Sequence, residues 1–236
     1  MKLLALSTST PRGSAALLDG DRVLATATYE DLRGHAERIF AAIDEVLAAA
    51  GLERAAIDAL GCDIGPGSFT GVRVAVASGK GIALALGVPA VGVGSLEAMA
   101  AAAFAGTAAP GDRVIPVIDA RKGEIFLAAY DAPGAPPHLA PRHLPRAEAS
   151  AVLASLAGPG RLIVVGEVAE ELPEFRLHRA RGPGLDFPDA TSIGRVAVAR
   201  LAGTSAAGST AAALADPALL EPLYVRAPDA KPAELG

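Results

Sequence analysis

The stretch Gly65-Pro66-Gly67-Ser68-Phe69-Thr70-Gly71 decides the fold, because it joins an apolar segment (57–64) to a long Ala/Val/Leu segment (72–86). The pattern predicts a β-strand, a tight glycine-rich turn and an α-helix. Such a turn can direct backbone N–H groups towards an anion or a docking partner. Glycine permits positive φ, Pro66 fixes one φ, and Ser68 and Thr70 can cap the helix. The simpler interpretation is a strand-to-helix connection that needs only small residues.

Composition excludes several classes of protein. The chain has 236 residues, of which 51% are hydrophobic, and it carries a formal net charge of −5. This size allows one large domain or two small ones with a substantial core. The acidic balance argues against a broad basic surface for nucleic acid, and the few aromatic residues argue against base-stacking platforms.

Cysteine usage and apolar runs indicate the compartment. Cys62 is the only cysteine, so an intramolecular disulfide and a multi-cysteine metal site are excluded. Its apolar surroundings predict a buried, inert thiol. The apolar start, residues 1–6, is too short for a signal peptide, and the Ala-rich run 98–109 is too short for a bilayer. We therefore expect a cytoplasmic protein with no membrane segment.

Alternating strands and helices predict an α/β protein with mixed sheets. Predicted strands lie at 2–6, 14–18, 22–29, 57–64, 88–93, 113–119, 124–130 and 162–165. Predicted helices lie at 35–50, 72–86, 147–156 and 193–201, with another that begins at a capping Ser95. Residues 131–145 are expected to form an irregular Pro-rich loop, and residues 229–236 a frayed end. A strand–polar loop–strand layout opens both 1–109 and 110–236, so two related subdomains are expected.

Several segments, taken in order with the glycine turn, resemble the TsaB (also called YeaZ) family. They are Ser7-Thr8-Ser9-Thr10, His35-Ala36-Glu37, Gly79-Lys80-Gly81, Gly87-Val88-Pro89, Ile118-Asp119-Ala120-Arg121-Lys122-Gly123-Glu124-Ile125-Phe126 and Pro222-Leu223-Tyr224-Val225-Arg226. The match is dense over residues 1–130 and thin over 131–215. The pair GPGSFTG and IDARKGE in one chain is a specific combination.

The resemblance implies two actin-like subdomains of the ribonuclease H type. It also implies a non-catalytic subunit that docks a TsaD-type transferase and supports threonylcarbamoyl modification of adenosine 37 in tRNA. A TsaE-type ATPase is a further implied partner, tRNA is reached only through the complex, and a homodimer is expected for the chain alone. No tightly bound cofactor is expected. Nucleotide is expected to bind only at an interface with partners.

The positions where the resemblance implies metal ligands carry other residues. The TsaD relative has two histidines four residues apart, and the matching positions in Gly92-Val93-Gly94-Ser95-Leu96-Glu97-Ala98-Met99 are Ser95 and Met99. Residues four apart share a helix face, but a hydroxyl and a thioether are poor ligands for an ion that activates a phosphate. None of the four histidines lies four residues from another. The sequence therefore predicts no metal site and no catalytic residues.

The first loop also departs from the actin-like pattern. As that superfamily is understood, its ATPases carry an acid at the end of the first strand, where this chain has Ser7. This weakens the hypothesis of ATP hydrolysis by the chain alone.

We expect the partner surface on the first two helices. Phe40 widens the apolar face of the first, and the second is rich in small residues that permit close helix packing. Arg73 opposes the helix dipole, which suggests a phosphate or carboxylate partner. The expected interface residues are His35, Ile39, Phe40, Ile43, Arg73, Ala75, Val76 and Gly79. The simpler interpretation of the apolar positions is ordinary core packing.

Three other functions stay open from the residues. The chain could be an actin-fold ATPase or carbohydrate kinase that acts alone, the transferase itself, or a homodimeric interaction module unrelated to tRNA. Ser7 argues against the ATPase or kinase, and Ser95 and Met99 argue against the transferase.

Overall fold

A computed structural model describes residues 1–31, 34–172, 177–207 and 215–226. The end predicted to be frayed, 229–236, lies outside these ranges. The described residues form two five-stranded mixed sheets with helices on their faces. This arrangement confirms the predicted fold class.

The first sheet has the strand order β3-β2-β1-β4-β5. Its strands are β1 (Lys2–Ser7), β2 (Arg12–Asp19), β3 (Arg22–Glu30), β4 (Ala59–Asp63) and β5 (Ala90–Val93). β1 and β2 pair antiparallel, as do β2 and β3, whereas β1, β4 and β5 run parallel. β1 and β4 are continuous apolar runs because helices cover both faces of the sheet.

The second sheet repeats this topology in the order β8-β7-β6-β9-β10. Its strands are β6 (Arg113–Arg121), β7 (Glu124–Ala129), β8 (Leu139–Pro145), β9 (Leu162–Val165) and β10 (Leu177–Ala180). β6, β7 and β8 pair antiparallel, and β6, β9 and β10 run parallel. The expectation of two related halves is therefore confirmed at the level of topology.

In the described ranges, five α-helices complete the layers. They are α1 (His35–Ala50), α2 (Phe69–Leu86), α3 (Ser95–Gly106), α4 (Ala149–Ser155) and α5 (Ala190–Ala207), with short 3-10 turns at Arg54–Ala56, Arg146–Glu148, Ala169–Glu171 and Pro217–Leu219. α1 ends at Gly51, whose φ of 65° is left-handed, as glycine allows. Among the described helices, α2 alone has the length and hydropathy of a membrane span, by composition only; one of its faces packs against β4.

Two helices each follow a strand of one half but pack on the other half. α3 follows β5 of the first sheet, but Leu96 and Met99 pack into the core of the second sheet. α5 follows β10 of the second sheet, but Ile193 and Ala197 pack against the first. Gly61 of β4 permits close approach, since a Cβ there would lie 2.9 Å from the Cβ of Ala197. Each half therefore completes the core of the other.

This exchange bears on the predicted subdomains 1–109 and 110–236. The strands divide between β5 and β6, but α3 and α5 each pack across the division. The boundary between residues 109 and 110 stays a prediction. In the structure, α3 and α5 make the two halves interlock.

The larger errors of secondary-structure prediction lie in the second half. The loop predicted at 131–145 ends in β8, and β10 was not predicted. β8 lies at a sheet edge, where Pro141 and Pro145 are tolerated because one row of backbone N–H groups needs no strand partner. Helix α2 begins three residues earlier than predicted, because Ser68 is its N-cap.

We predict that Ile193→Ala lowers the free energy of unfolding by about 2–5 kcal/mol, because its side chain is fully buried on the first sheet. Chemical denaturation should show one transition for both halves. Ala199→Ser, on the exposed face of the same helix, is the control and should change little. Two separated transitions in the wild-type chain would contradict the interlocked core.

Candidate functional site

The carboxylate of Asp63, the last residue of β4, is fully buried beside the end of β1. The hydroxyls of Ser7 and Ser9 donate to Oδ2 at 2.7 and 2.6 Å. The hydroxyl of Ser95 and the N–H of Gly65 donate to Oδ1 at 2.6 and 2.9 Å. We call these residues the Asp63 cluster. One carboxylate thus joins the β1–β2 loop, the glycine turn and the start of α3.

Hydroxyl and amide donors, rather than cations, solvate this carboxylate. No Lys, Arg or His pairs with Asp63 among the residues that the structure describes. Burial raises the pKa of Asp63 above its ordinary value of 3.8, and the four hydrogen bonds oppose that rise. Ser7 Oγ also lies 3.2 Å from the carbonyl oxygen of Pro188, to which it can donate instead.

Sequence reasoning missed Asp63 and misassigned Ser95. Asp63 is the only charged residue between positions 59 and 64, so a lone acid at the end of an apolar strand was the available signal. Ser95 does not cap α3. Gly94 holds the cap position, and the Ser95 hydroxyl is directed to Asp63.

The glycine turn packs directly on the β1–β2 loop. The N–H of Ser68 donates to the Ser9 carbonyl at 2.6 Å, and the Thr8 hydroxyl donates to the Gly71 carbonyl at 2.7 Å. A Cβ at Gly67 or Gly71 would collide with the carbonyl oxygen of Ser9 or Thr8. Gly67 and Gly71 are therefore needed for close approach.

The other residues of the turn have distinct roles. Gly65 has a φ of +97° that favours glycine, and Pro66 is buried after it. The predicted cap is confirmed at Ser68, whose hydroxyl accepts the Gly71 N–H at 3.3 Å, whereas Thr70 is exposed inside α2. Three N–H groups, those of Gly65, Ser68 and Gly71, bind the chain's own atoms. This favours a structural role for these groups over anion binding.

A cleft of about 650 Å³ separates the glycine turn from the β6–β7 hairpin. Two of the three Lys and Arg residues that line it pair with acids: Arg121 with Asp119 at 3.3 Å, and Arg226 with Glu124 at 3.1 Å. Glu167 lines the same wall, and burial, with the nearby charge of Asp119, raises its pKa. The cleft is therefore close to electroneutral rather than strongly basic.

A C-terminal strap, residues 215–226, reaches this cleft, and its residues 223–226 line it. The N–H of Leu223 donates to the Ile64 carbonyl at 2.7 Å in the first half. The guanidinium of Arg226 donates to the Ala120 carbonyl at 3.0 Å in the second half. The strap thus ties the two walls of the cleft together.

The actin-like fold implies a magnesium-bound nucleotide, and the residues at the end of β1 do not fit one. Ser7 replaces the acid, and each oxygen of Asp63 already accepts two hydrogen bonds. Ser95 and Met99 are fully buried, and Ser95 is committed to Asp63. Within the described ranges, no group of three His, Cys, Asp or Glu residues is placed to hold a metal.

The expected partner surface is wrong for six of its eight residues. The side chains of Ile39, Ile43 and Val76 pack in the first core, and His35, Ala75 and Gly79 are also buried. The apolar stripe of α1 faces its own sheet, and burial lowers the pKa of His35. Ala75→Glu would therefore place a charge in the core rather than on a surface.

The exposed face of α1 and α2 consists of other residues. It is formed by Phe40, Phe69, Arg73, Ala77 and Leu84, which we call the docking face. Arg73 has partners within the chain. Its guanidinium carbon lies 3.6 Å from the centre of the Phe69 ring, and its Nε donates to the Tyr224 hydroxyl at 2.9 Å. The phosphate or carboxylate expected for Arg73 stays a prediction.

The duplicated topology and the cleft between the halves define the chain as an actin-like protein. The family model described as "TsaD: tRNA N6-adenosine threonylcarbamoyltransferase" matches residues 22–137. A solved structure, "YeaZ from Pseudomonas aeruginosa", superposes with a TM-score of 0.74 at 28% identity, covering 94% of this chain and 99% of that one.

Curated sequences agree with this structural match. The Escherichia coli protein named "tRNA threonylcarbamoyladenosine biosynthesis protein TsaB" is 38% identical over 131 residues, 55% of each chain. The Haemophilus influenzae protein of the same name is 41% identical over 129 residues, 54% of this chain and 53% of that one. Together these comparisons support assignment of the chain to the TsaB (YeaZ) family. The matched segment spans about half the length of these curated relatives.

We predict that Gly71→Ala destabilises the chain by about 1–3 kcal/mol, because the new methyl group collides with the Thr8 carbonyl. Gly81→Ala is the matched control on the same helix, with nothing within 4 Å of the added Cβ. It should stabilise by about 0.5–1 kcal/mol. Thermal or urea unfolding measures both, and equal effects would contradict the close packing of the turn.

We predict that wild type loses stability relative to Asp63→Asn as pH rises from 4 towards neutrality. The pKa of Asp63 is raised in the folded state, so the folded chain binds more protons than the unfolded chain between the two pKa values. Stability then falls with rising pH, by about 1.4 kcal/mol per pH unit at most. Urea unfolding of both proteins across pH 4–8 measures the difference, and parallel curves would contradict a raised pKa.

Proposed function

We propose that this chain is the non-catalytic partner subunit that docks a TsaD-type transferase and thereby supports threonylcarbamoyl modification of adenosine 37 in tRNA. The relatives named for threonylcarbamoyladenosine biosynthesis support the pathway. The docking face supports the role within it. The transfer itself belongs to the partner, and tRNA is bound through the complex.

The observation that carries this proposal is the exposure of α2. The helix is apolar, yet only a third of its residues are buried. Leu84 is 58% exposed and Phe69 is 41% exposed, while Phe40 of α1 is 48% exposed. Apolar side chains grouped on neighbouring helices are typical of an interaction surface.

The expected partner has the same kind of fold. Small residues such as Ala77 on this face allow a second helix pair to approach closely, which would give a four-helix interface. A second copy of this chain would use the same face, so homodimer and heterodimer would compete. A TsaE-type ATPase would join the complex at another surface, in the cytoplasm.

The residues at the end of the first strand and at the start of α3 support the non-catalytic role. Ser7, Ser95 and Met99 replace the expected ligands, and Asp63 is saturated by hydrogen bonds. The chain would hold no cofactor tightly. Nucleotide would bind only at an interface with partners. The alternative, an actin-fold ATPase or carbohydrate kinase that acts alone, would require the cleft to bind nucleotide without a partner.

We predict that Ala77→Glu abolishes binding to a TsaD-type transferase and the threonylcarbamoylation of tRNA in a reconstituted reaction. A carboxylate without a partner would be buried at the interface, which is strongly unfavourable. Pull-down and sedimentation measure binding, and omission of this chain gives the baseline for modification.

The matched control is Ala154→Glu, the same substitution on the exposed face of α4 in the second half. It should bind and support modification as wild type does. Native binding by folded Ala77→Glu and Leu84→Glu would place the interface elsewhere. Modification at full rate without the chain would reject the partner role altogether.

A further inference from the structure

A second cavity, of about 830 Å³, lies on the side of the molecule formed by α3, α5 and the Pro-rich segment 131–137. Its walls are largely apolar, with Leu96 from α3, Val196 and Ala199 from α5, and Pro133 and Pro136 from the segment. It shares none of the docking-face residues. Cavities of this size, with apolar walls and few polar groups, are typical of small-molecule sites.

The hydroxyl-bearing side chain of Tyr130 lines this cavity. Tyr130 is only 6% exposed, and no described residue makes a hydrogen bond to its hydroxyl. Glu97 and Arg200, which line the same wall, both act on its ionisation, and burial raises the pKa of Tyr130. The hydroxyl therefore stays protonated and can donate. The hydroxyl is not among the fully buried polar atoms that lack a partner, so it opens to the cavity, where it can donate to a ligand.

The charges of the cavity wall do not cancel. Arg200 holds Glu97 with two hydrogen bonds of 2.7 Å, which neutralises that pair. Arg195 lies on the same face of α5, one turn before Ala199, and forms no hydrogen bond or ion pair with any described residue. The lining therefore carries one uncompensated positive charge beside apolar walls.

We propose that this cavity binds an apolar monoanion, an aromatic or aliphatic body with one acidic group. The body would lie against Leu96, Ala199 and the prolines, and the acidic group would pair with the Arg195 guanidinium. The Tyr130 hydroxyl would donate a hydrogen bond to an acceptor atom of the ligand. This site is independent of the proposed partner role, because it does not use the docking face.

Two fluorescent probes separate charge recognition from apolar binding. The first is 8-anilino-1-naphthalenesulfonate, and the second is N-phenyl-1-naphthylamine, the same ring system without the sulfonate. We expect one molecule of the sulfonate per chain, with an affinity about tenfold above that of the neutral probe. Fluorescence titration gives the affinity, and calorimetry gives the stoichiometry.

Variants then assign the site. Arg195→Gln should weaken the sulfonate about tenfold and leave the neutral probe unchanged. Arg54→Gln, which removes an exposed cation far along the chain, is the control and should change neither. Ala199→Phe should fill the cavity and exclude both probes, and Tyr130→Phe should weaken the sulfonate.

The proposal is overturned if Arg195→Gln binds the sulfonate as wild type does, or if binding occurs at several weak sites. Because Arg195 is exposed, its replacement keeps the chain folded, so this variant decides the question even if Ala199→Phe fails to fold.

Discussion

The buried Asp63 carboxylate is the interaction on which the local architecture depends. Burying a charge away from water is costly unless hydrogen-bond donors of the protein replace the solvent. Here three hydroxyls and one backbone N–H do so. Those donors come from three separate elements. The carboxylate therefore fixes where the β1–β2 loop, the glycine turn and α3 meet, and the turn in turn positions the start of α2. Because α2 carries most of the docking face, the Asp63 cluster also sets where that face lies.

The same position is where this chain departs from the pattern expected of an actin-like ATPase. Where an acid is expected to stand at the end of the first strand, this chain has Ser7, and a carboxylate from the neighbouring strand accepts its hydroxyl. The negative charge thus remains near the site but is turned inward and saturated. The architecture is kept, while the position of the expected acid carries a serine that donates to Asp63.

Local elements were predictable where the pattern was strong. The bounds of α1 follow from its three-four apolar spacing and Gly51, and β9 follows from its apolar run. The exposed face of α2 was not predictable, because small and apolar residues occur on every side of the helix and their spacing does not select one. β8 was missed because prolines lower strand propensity, and only its place at the sheet edge permits them.

The contacts of the Asp63 cluster could not be predicted from local sequence patterns, because its members are distant in sequence. Ser7 and Ser95 lie 56 and 32 residues from Asp63, and nothing in either neighbourhood predicts the contact. The exchange of α3 and α5 was hidden for a similar reason. A helix is expected to pack on the sheet whose strand precedes it, and the sequence carries no mark that it crosses to the other.

That exchange has a consequence for synthesis on the ribosome. The five strands of the first sheet have all been made by Val93, but the face that carries Leu3, Ala5 and Leu18 is covered by α5, which begins at Ala190. At about 5–20 residues per second, roughly 5–20 seconds of elongation separate the two. During that interval the nascent chain presents an apolar sheet face that α5 has not yet covered.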